Sequence, residues 1–564
     1  MDKTKIDKNY RRWLNAPGLD EALREELISI QNDVDAISER FAGNLGFGTG
    51  GMRGILGAGT DRINVYTIMK ATAGFAAYIK GSDPDAAFKG VVVSHDNRRH
   101  SRDFALATAG VFAAAGIKAY IFDGLRPTPE LSFAVRRLCA AGGVMITASH
   151  NPPEYNGYKI YDPNGCQLNI EDSEKVIACI AKVKDELSIP CLTPDEAGDL
   201  ITVLGPEIDD EYCMRVRSIA LSRDREAAAD LKVVYSPQHG TGNVPVRRVL
   251  TEEGYNVIPV LSQCEPDPDF SGTPTPNPEN AAAYGAALEI AEAENADIVI
   301  TTDPDCDRLG VAARKNGKMV LMTGNQSAAV LLEYIFSRRT AEGTMPTSPL
   351  MISTIVTSDL GDRIAEKYGV DVEKTLTGFK FIGEKIAEHR RDHDKNYVFG
   401  YEESYGCLIS DFVRDKDGVQ ASLMLCEAAA YYKRFGKTLV DVLDGIYAEH
   451  GYFLDSQSNF YFRGLDGQAQ IAALTAGLRV NAPDSVDGVK VVRVEDYLTE
   501  EMKYAGFPSS DVLRFIFEDG CWVAVRPSGT EPKCKFYYCV VAKDKAAAEA
   551  RYAGLKAAFE PSEK

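Results

Sequence analysis

A short apolar run, then a polar loop rich in Gly, Ser or Asp, then an amphipathic stretch recurs along most of the chain and commits it to α/β layers. Val91–Val93 runs into SHDNRRHS, Lys118–Phe122 into DGLRPTPE and Val144–Ile146 into TASHNP. Leu231–Tyr235 leads to SPQHGTGN and Ile298–Ile300 to DPDCDR. Leu350–Ile355 and Tyr397–Phe399 follow, the latter feeding GYEESYG, and Cys521–Val525 enters RPSGTEPK ahead of Phe536–Val541. With 564 residues the chain outgrows a single hydrophobic core, and its length suggests about three to five domains. The expected limits are 1–203, 204–321, 322–450 and 451–564. Open α/β sheets hold ligands beyond the carboxyl ends of their strands, so the loaded loops are expected to converge on one cleft.

Composition excludes several functions. Hydrophobic residues at 45% and charged residues at 26% describe a globular protein rather than a disordered one. A formal net charge of −19 opposes nucleic acid and anionic membrane surfaces, which need a positive field, whereas a small anionic substrate needs only a local cluster of Lys and Arg. The amino terminus, MDKTKIDKNYRRWLNAPGLDEALREEL, lacks the apolar core of a signal peptide, and no apolar run reaches the length of a membrane span. Twelve scattered cysteines without a CxxC pair point to reduced thiols in a cytoplasm. The proline-rich Glu265–Glu279, short and flanked by strand-like runs, reads as an ordered loop. Oligomeric state leaves no mark in the sequence.

Three loops carry recognisable chemistry. In GGVMITASHNP a β-prone run delivers Ser149 into a turn beside Thr147, His150 and Asn151, all able to hydrogen-bond phosphate oxygens, so its hydroxyl is a candidate phosphoryl carrier. Asp303, Asp305 and Asp307 alternate; an extended loop would present all three to one hard cation, and magnesium suits that donor set. In RPSGTEPK, Gly529 lets backbone N–H groups approach an anion that Arg526 can grip at two points. The glycines of FGTGGMRGILG imitate a dinucleotide fingerprint, but the preceding ISERFAGNL does not read as the strand such a motif requires.

Together with PEYNGYKIY, GYEESYG, TGFKFIG and VRDKDG, these loops resemble those of the α-D-phosphohexomutase superfamily, the phosphoglucomutase and phosphomannomutase enzymes, over nearly the whole chain and in the expected order. The resemblance implies a four-domain α/β architecture, with three mixed α/β sandwich domains and a smaller C-terminal α+β domain around a central cleft. It makes Ser149 the phosphorylated residue and, with the three aspartates, a ligand of Mg2+. Lys159 becomes a general acid/base, a task that needs its pKa drawn toward neutrality. Arg53 and His150 join it as catalytic residues. Glu402 and Ser404 would bind ring hydroxyls, Lys380, Lys416 and Arg308 would contact substrate, and Arg526, Ser528, Gly529 and Thr530 would hold the nonreacting phosphate.

Cys306 stands where the superfamily often has glycine, with its side chain expected to turn away from the ion. Gly406 stands where some phosphomannomutase relatives carry histidine, which favours the glucose-type branch. The expected reaction interconverts α-D-glucose 1-phosphate and glucose 6-phosphate through a phosphoserine enzyme and glucose 1,6-bisphosphate, which also serves as activator, with the C-terminal domain closing over the cleft. A phosphopentomutase, a phosphomannomutase and a metal phosphatase are the enzyme alternatives; a non-catalytic sugar-phosphate-binding protein is the alternative of another class. His239, without a nameable partner, reads as structural.

Overall fold

The computed structural model describes residues 3–48, 51–462, 467–528 and 533–561, and its strands gather into four sheets of seven, five, four and six strands. Two units form. The first comprises residues 1–324, 379–400 and 404–438; the second comprises 325–378, 401–403 and 439–564.

In the first unit the seven-stranded sheet runs, in spatial order, Phe47–Gly48, Gly51–Ile55, Tyr155–Tyr161, Gly142–Ile146, Val91–His95, Ala119–Phe122 and Ile201–Leu204. Its central strands Val91–His95 and Gly142–Ile146 are buried along their whole length. Helices cover them, which is why these strands read as unbroken apolar runs rather than alternating ones. Tyr155–Tyr161 does alternate: Tyr158 and Ile160 enter the core with Phe75, Phe112 and Ile146, and the period of two sends Lys159 and Tyr161 to the other face. Gly51 pairs with Lys159 at φ 155°, where a Cβ would lie 2.1 Å from the Tyr158 carbonyl oxygen. Phe47–Gly48 and Gly51–Ile55 are therefore paired antiparallel strands rather than the start of a helix, and the helix Val34–Phe41 precedes them.

The five-stranded sheet of the same unit places Ile298–Thr302 parallel to Lys232–Ser236 and antiparallel to Leu309–Lys315. Residues 303–308 are thus the loop of a hairpin, held at both ends by a fully bonded ladder. The proline-rich segment is ordered, as expected: Phe270 is buried, and the Asp267 carbonyl accepts from Asn97 Nδ2 at 2.8 Å. It also supplies the partners of His239. Gly272 N donates to Nε2 (3.1 Å), which leaves Nδ1–H to donate to the Glu265 carbonyl (2.8 Å), so this histidine is fully engaged in structure.

In the second unit Pro349–Thr354 and Asp371–Thr375 pair in parallel. Its six-stranded antiparallel sheet, ordered Tyr452–Tyr461, Lys533–Ala542, Trp522–Pro527, Leu513–Phe517, Val489–Asp496 and Ser485–Val486, packs on the helix Lys545–Phe559 through Leu555 and Phe559. This is the smaller α+β domain the sequence implied. The twelve cysteines are all free, and no helix among the described residues is long and apolar enough to cross a membrane.

The helix Gly418–Lys433 begins at a buried acid. Asp417 caps it, with Oδ1 accepting from Val419 N, Gln420 N and the Tyr212 hydroxyl, while Oδ2 has no partner. Burial pushes its pKa up from 3.8 to about 6, against the lowering effect of those bonds. A carboxyl whose folded pKa exceeds its unfolded one costs nothing below pH 3.8, and its cost grows with pH until about 6. The full cost at neutral pH is about 3 kcal/mol, at 1.36 kcal/mol per pKa unit. Asp417→Asn keeps the accepting oxygen and removes the charge. Urea unfolding should show the variant gaining stability over the parent by about 1–3 kcal/mol at pH 7.5 and by almost nothing at pH 4; an offset independent of pH would refute this account.

Candidate active site

Two strand ends of the first unit meet. Gly142–Ile146 releases Ser149 and Ile298–Thr302 releases Asp303, and the Ser149 hydroxyl donates to Asp303 Oδ2 at 2.6 Å. With its one proton given to Asp303, Ser149 Oγ accepts from His150 Nδ1, 3.1 Å away. Burial, then the positive charges of Arg308 and Arg53, push the His150 pKa well below its ordinary value, so the ring is neutral.

The serine occupies a left-handed backbone position, φ 50°, and several groups hold it there. Ser149 N donates to Thr147 Oγ1 at 2.8 Å. Arg98, fully buried as a side chain against Asp96, donates to the carbonyls of Ser149 (2.7 Å), Asn151, Pro152 (2.8 Å) and Tyr155 (2.9 Å). The Phe270 ring lies under its guanidinium at 5.1 Å. One planar cation thus fixes the path of the entire loop. Nothing in the local sequence SHDNRRHS marks Arg98 for this role. Lysine cannot reproduce the fork. We expect Arg98→Leu to cost about 3–5 kcal/mol in denaturant unfolding, because Asp96 loses its buried counter-charge, and both Arg98→Leu and Arg98→Lys, which keeps the charge but not the fork, to disorder the 149–155 loop; retention of full stability in Arg98→Leu would show that Arg98 is dispensable.

Asp303, Asp305 and Asp307 are all buried, and one oxygen from each lies within 4.8 Å of the other two. Asp303 Oδ1 accepts from Asp307 N (3.1 Å) and Arg308 N (3.0 Å), which curls the loop around it. Asp305 Oδ2 accepts from Lys159 Nζ (2.7 Å) and Thr128 Oγ1 (3.1 Å). Asp307 Oδ2 lies 3.2 Å from Lys416 Nζ and 3.5 Å from Lys159 Nζ. The second oxygens, Asp305 Oδ1 and Asp307 Oδ1, are buried without a hydrogen-bond partner. Three crowded carboxylates with orphaned oxygens fit a hard divalent cation. Burial and the two neighbouring carboxylates push the Asp303 pKa well above the ordinary range, a penalty that a cation would relieve. Burial works the same way on Asp305, but Lys159, a hydrogen bond with Asp303 and the charge of Lys416 together outweigh it and hold that pKa low.

Lys159 departs from the expected tuning. Burial alone would lower its pKa; Asp305 and Asp307 outweigh burial and raise it. A cation sharing those carboxylates would weaken their hold on the ammonium.

The neighbouring loops are arranged around this cradle. Arg53 Nη1 donates to Asn151 Oδ1 (2.9 Å), and Arg308 is ion-paired with Glu279. Cys306 sits at φ 55°, the reason glycine suits this position, and its thiol fills space beside Gly242 and Gly418. Ser404 precedes Tyr405, whose carbonyl accepts from Leu309 N at 2.9 Å. Lys416 Nζ lies 5.5 Å from the Phe379 ring centre and Lys380 Nζ 5.0 Å from that of Phe381. Gly406 is where Lys416 passes: a Cβ there would lie 2.0 Å from its Cδ, so a histidine at 406 and this lysine conformation exclude each other.

Within the second unit Glu402 is buried and Oε1 accepts from Gly378 N at 2.8 Å. Arg526 pairs in register with Lys535, and Ser528 N donates to the Lys533 carbonyl at 2.9 Å. Gly529 and Thr530 lie outside the described residues.

Four domain models, described as phosphoglucomutase/phosphomannomutase alpha/beta/alpha domains I, II and III and C-terminal domain, match residues 44–187, 210–317, 323–450 and 478–552. A phosphoglucomutase of Staphylococcus aureus (strain MRSA252) is 37% identical over 534 residues, 93% of this chain and 94% of its own. A phosphoglucomutase of Staphylococcus epidermidis is 38% identical over 537 residues, 93% and 95% of the two chains. Among solved structures, the open form of pp63/parafusin, a phosphoglucomutase from Paramecium, superposes with a TM-score of 0.70 at 19% identity, covering 92% of this chain and 95% of its own. A phosphoglucomutase/phosphomannomutase family protein from Burkholderia thailandensis gives a TM-score of 0.68 at 18% identity, covering 92% and 98%.

Proposed function

The chain belongs to the phosphoglucomutase/phosphomannomutase family, and from that premise we propose that it is a phosphoglucomutase interconverting α-D-glucose 1-phosphate and glucose 6-phosphate. The observation that carries this reading is the 2.6 Å contact between Ser149 Oγ and Asp303 Oδ2, which joins a nucleophile to a carboxylate cradle across 154 residues of sequence. Phosphorylated Ser149 gives its phosphoryl group to the free hydroxyl of the sugar phosphate. Glucose 1,6-bisphosphate results, turns over, and returns its other phosphoryl group to Ser149. Asp303, Asp305, Asp307 and Ser149 would hold Mg2+. That ion would draw charge from the transferring phosphoryl oxygens.

Lys159 moves the proton of the sugar hydroxyl, and His150 and Arg53 steady the loop and its phosphoryl oxygens. Glu402 and Ser404 take ring hydroxyls, with Lys380, Lys416 and Arg308 as further substrate contacts. Arg526, Ser528, Gly529 and Thr530 hold the nonreacting phosphate, and the C-terminal domain closes to exclude water, to which a poised phosphoserine is vulnerable. The domain limits at 203, 321 and 450 belong to the same proposal and are supported by the gaps between the matched segments. A cytoplasmic location and glucose 1,6-bisphosphate as activator complete it.

The crowding of Gly406 by Lys416 supports a glucose-type site over one with histidine there. Two measurements test the reading. Incubation with glucose 1,6-bisphosphate should add one phosphoryl group to the intact mass, mapped to a peptide containing Ser149. Turnover should favour glucose 1-phosphate over mannose 1-phosphate and ribose 1-phosphate; a preference of about tenfold for ribose, 1.4 kcal/mol in the transition state, would transfer the assignment to a phosphopentomutase.

A further inference from the structure

We propose that the first unit carries a second anion site, away from the cradle, that takes the phosphoryl group of a small phosphorylated metabolite. It is a cavity of about 510 Å³ bordered by the helices Thr128–Arg137 and Phe379–Asp392, the turn at Asn164, and Arg414.

In a chain of net charge −19, this cavity is lined by Lys89, Arg136, Arg390, Arg391 and Arg414 and by no carboxylate. Acids outside the lining engage most of these cations: Asp83 binds Lys89 (2.8 Å), Asp392 binds Arg391 (2.8 Å), and Asp411 binds Arg390 (2.6 Å) and lies 3.5 Å from Arg414. Five positive groups therefore meet three negative ones. Arg136 is left over: its one hydrogen bond goes to the Asn164 carbonyl at 3.5 Å, and among the described residues no carboxylate comes within ion-pair distance.

Arg414 is the most buried of these cations. Its side chain is 4% exposed, its Nη1 reaches the Val413 carbonyl (3.3 Å) and, more distantly, Asp411 Oδ2 (3.5 Å), and its Nε is buried without a hydrogen-bond partner. Burial, then repulsion from Arg136, pulls its pKa down to about 10. A buried guanidinium with one distant ion pair, repelled by a second guanidinium that has none, favours an acceptor in the cavity. A phosphate monoester offsets this excess of positive charge, because its oxygens match the two-point geometry of arginine. The volume lies in the range of small-molecule sites, leaving space for an organic body beyond the phosphoryl group.

The site is also close to the chemistry along the chain. Arg414 N donates to Ser132 Oγ (3.0 Å), Asp415 accepts from the Tyr161 hydroxyl (2.8 Å), and Lys416 reaches Asp307.

The test is hydrogen exchange by mass spectrometry on the full-length protein, titrated with inorganic phosphate and, separately, with glycerol 3-phosphate at millimolar concentration. Peptides within 132–140 and 384–392, which exclude Thr128 beside Asp305 and the proposed substrate contact Lys380, report on this cavity separately from those containing residues 149 and 526. The proposal expects protection of these two segments in the wild type, with Arg136→Glu needing at least about tenfold more ligand (1.4 kcal/mol) while turnover is unchanged. Arg390→Glu, at a side chain 63% exposed, gives the same reading should Arg136→Glu fold poorly. Stronger protection by the ester supports a metabolite as occupant, and equal protection supports free phosphate. No protection of either segment by either ligand, or protection unaltered in both variants, overturns the site.

Discussion

Ser149→Ala should fold like the parent, accept no phosphoryl group from glucose 1,6-bisphosphate, and lose mutase turnover by about 10^6-fold, as removal of a nucleophile does elsewhere. The fold should survive because the loop is not held by the hydroxyl. Arg98 grips four of its carbonyls and Thr147 receives the Ser149 amide, and both remain in the variant. What is lost is the hydrogen bond to Asp303 Oδ2 and the one from His150 Nδ1, each worth about 1 kcal/mol. Affinity for the sugar phosphate should persist, since the proposed grips at Glu402 and Arg526 are untouched. The split between lost turnover and retained binding separates a phosphoryl carrier from a turn residue: substantial turnover in the alanine variant, or phosphoryl uptake elsewhere, would remove Ser149 from the mechanism.

The sequence revealed strands and their loops more readily than the bonds between loops. Val91–Val93, Ile298–Ile300 and Phe536–Val541 could be recognised because a buried strand is an unbroken apolar run, and each falls within an observed strand. The aspartates of DPDCDR announced themselves by spacing. Lys159 was visible as a candidate, but the sign of its pKa shift was not, because Asp305 and Asp307 approach it from about 150 residues away. Arg98 looked like any loop arginine: its role depends on the course of residues 149–155 and on Phe270 from the proline-rich segment. The partners of His239 come from that segment too. Local pattern determines what a residue offers, and tertiary contact determines what receives it. Resemblance to known loops bridged that gap for Ser149 and the cradle, and did not for Arg98.

Asp303→Asn should separate stability from function at the cradle. In the protein without a cation, Asp303 is crowded by Asp305 and Asp307, and its charge is opposed by burial and by both neighbours. Asparagine retains an oxygen for the amides of Asp307 and Arg308 and turns an N–H toward Ser149 Oγ, so the loop keeps its bonds. Without divalent cation the variant should melt at or above the parent. The folded pKa of Asp303 is raised, so the cost it imposes on the parent appears as pH rises, and the advantage of the variant should widen from acid to neutral pH. Adding MgCl2 should reverse the order. A cation bound only by the folded parent contributes about 2.7 kcal/mol at 100 times its Kd, whereas the variant, short of one anionic ligand, should gain little. Turnover should fall by about 10^3-fold, equivalent to about 4 kcal/mol in the barrier. Thermal melts in EDTA and in MgCl2 at two pH values read all of this. A parent whose melting ignores magnesium, or a variant that gains as much from it, would mean that the three aspartates balance Lys159 and Lys416 and hold no metal.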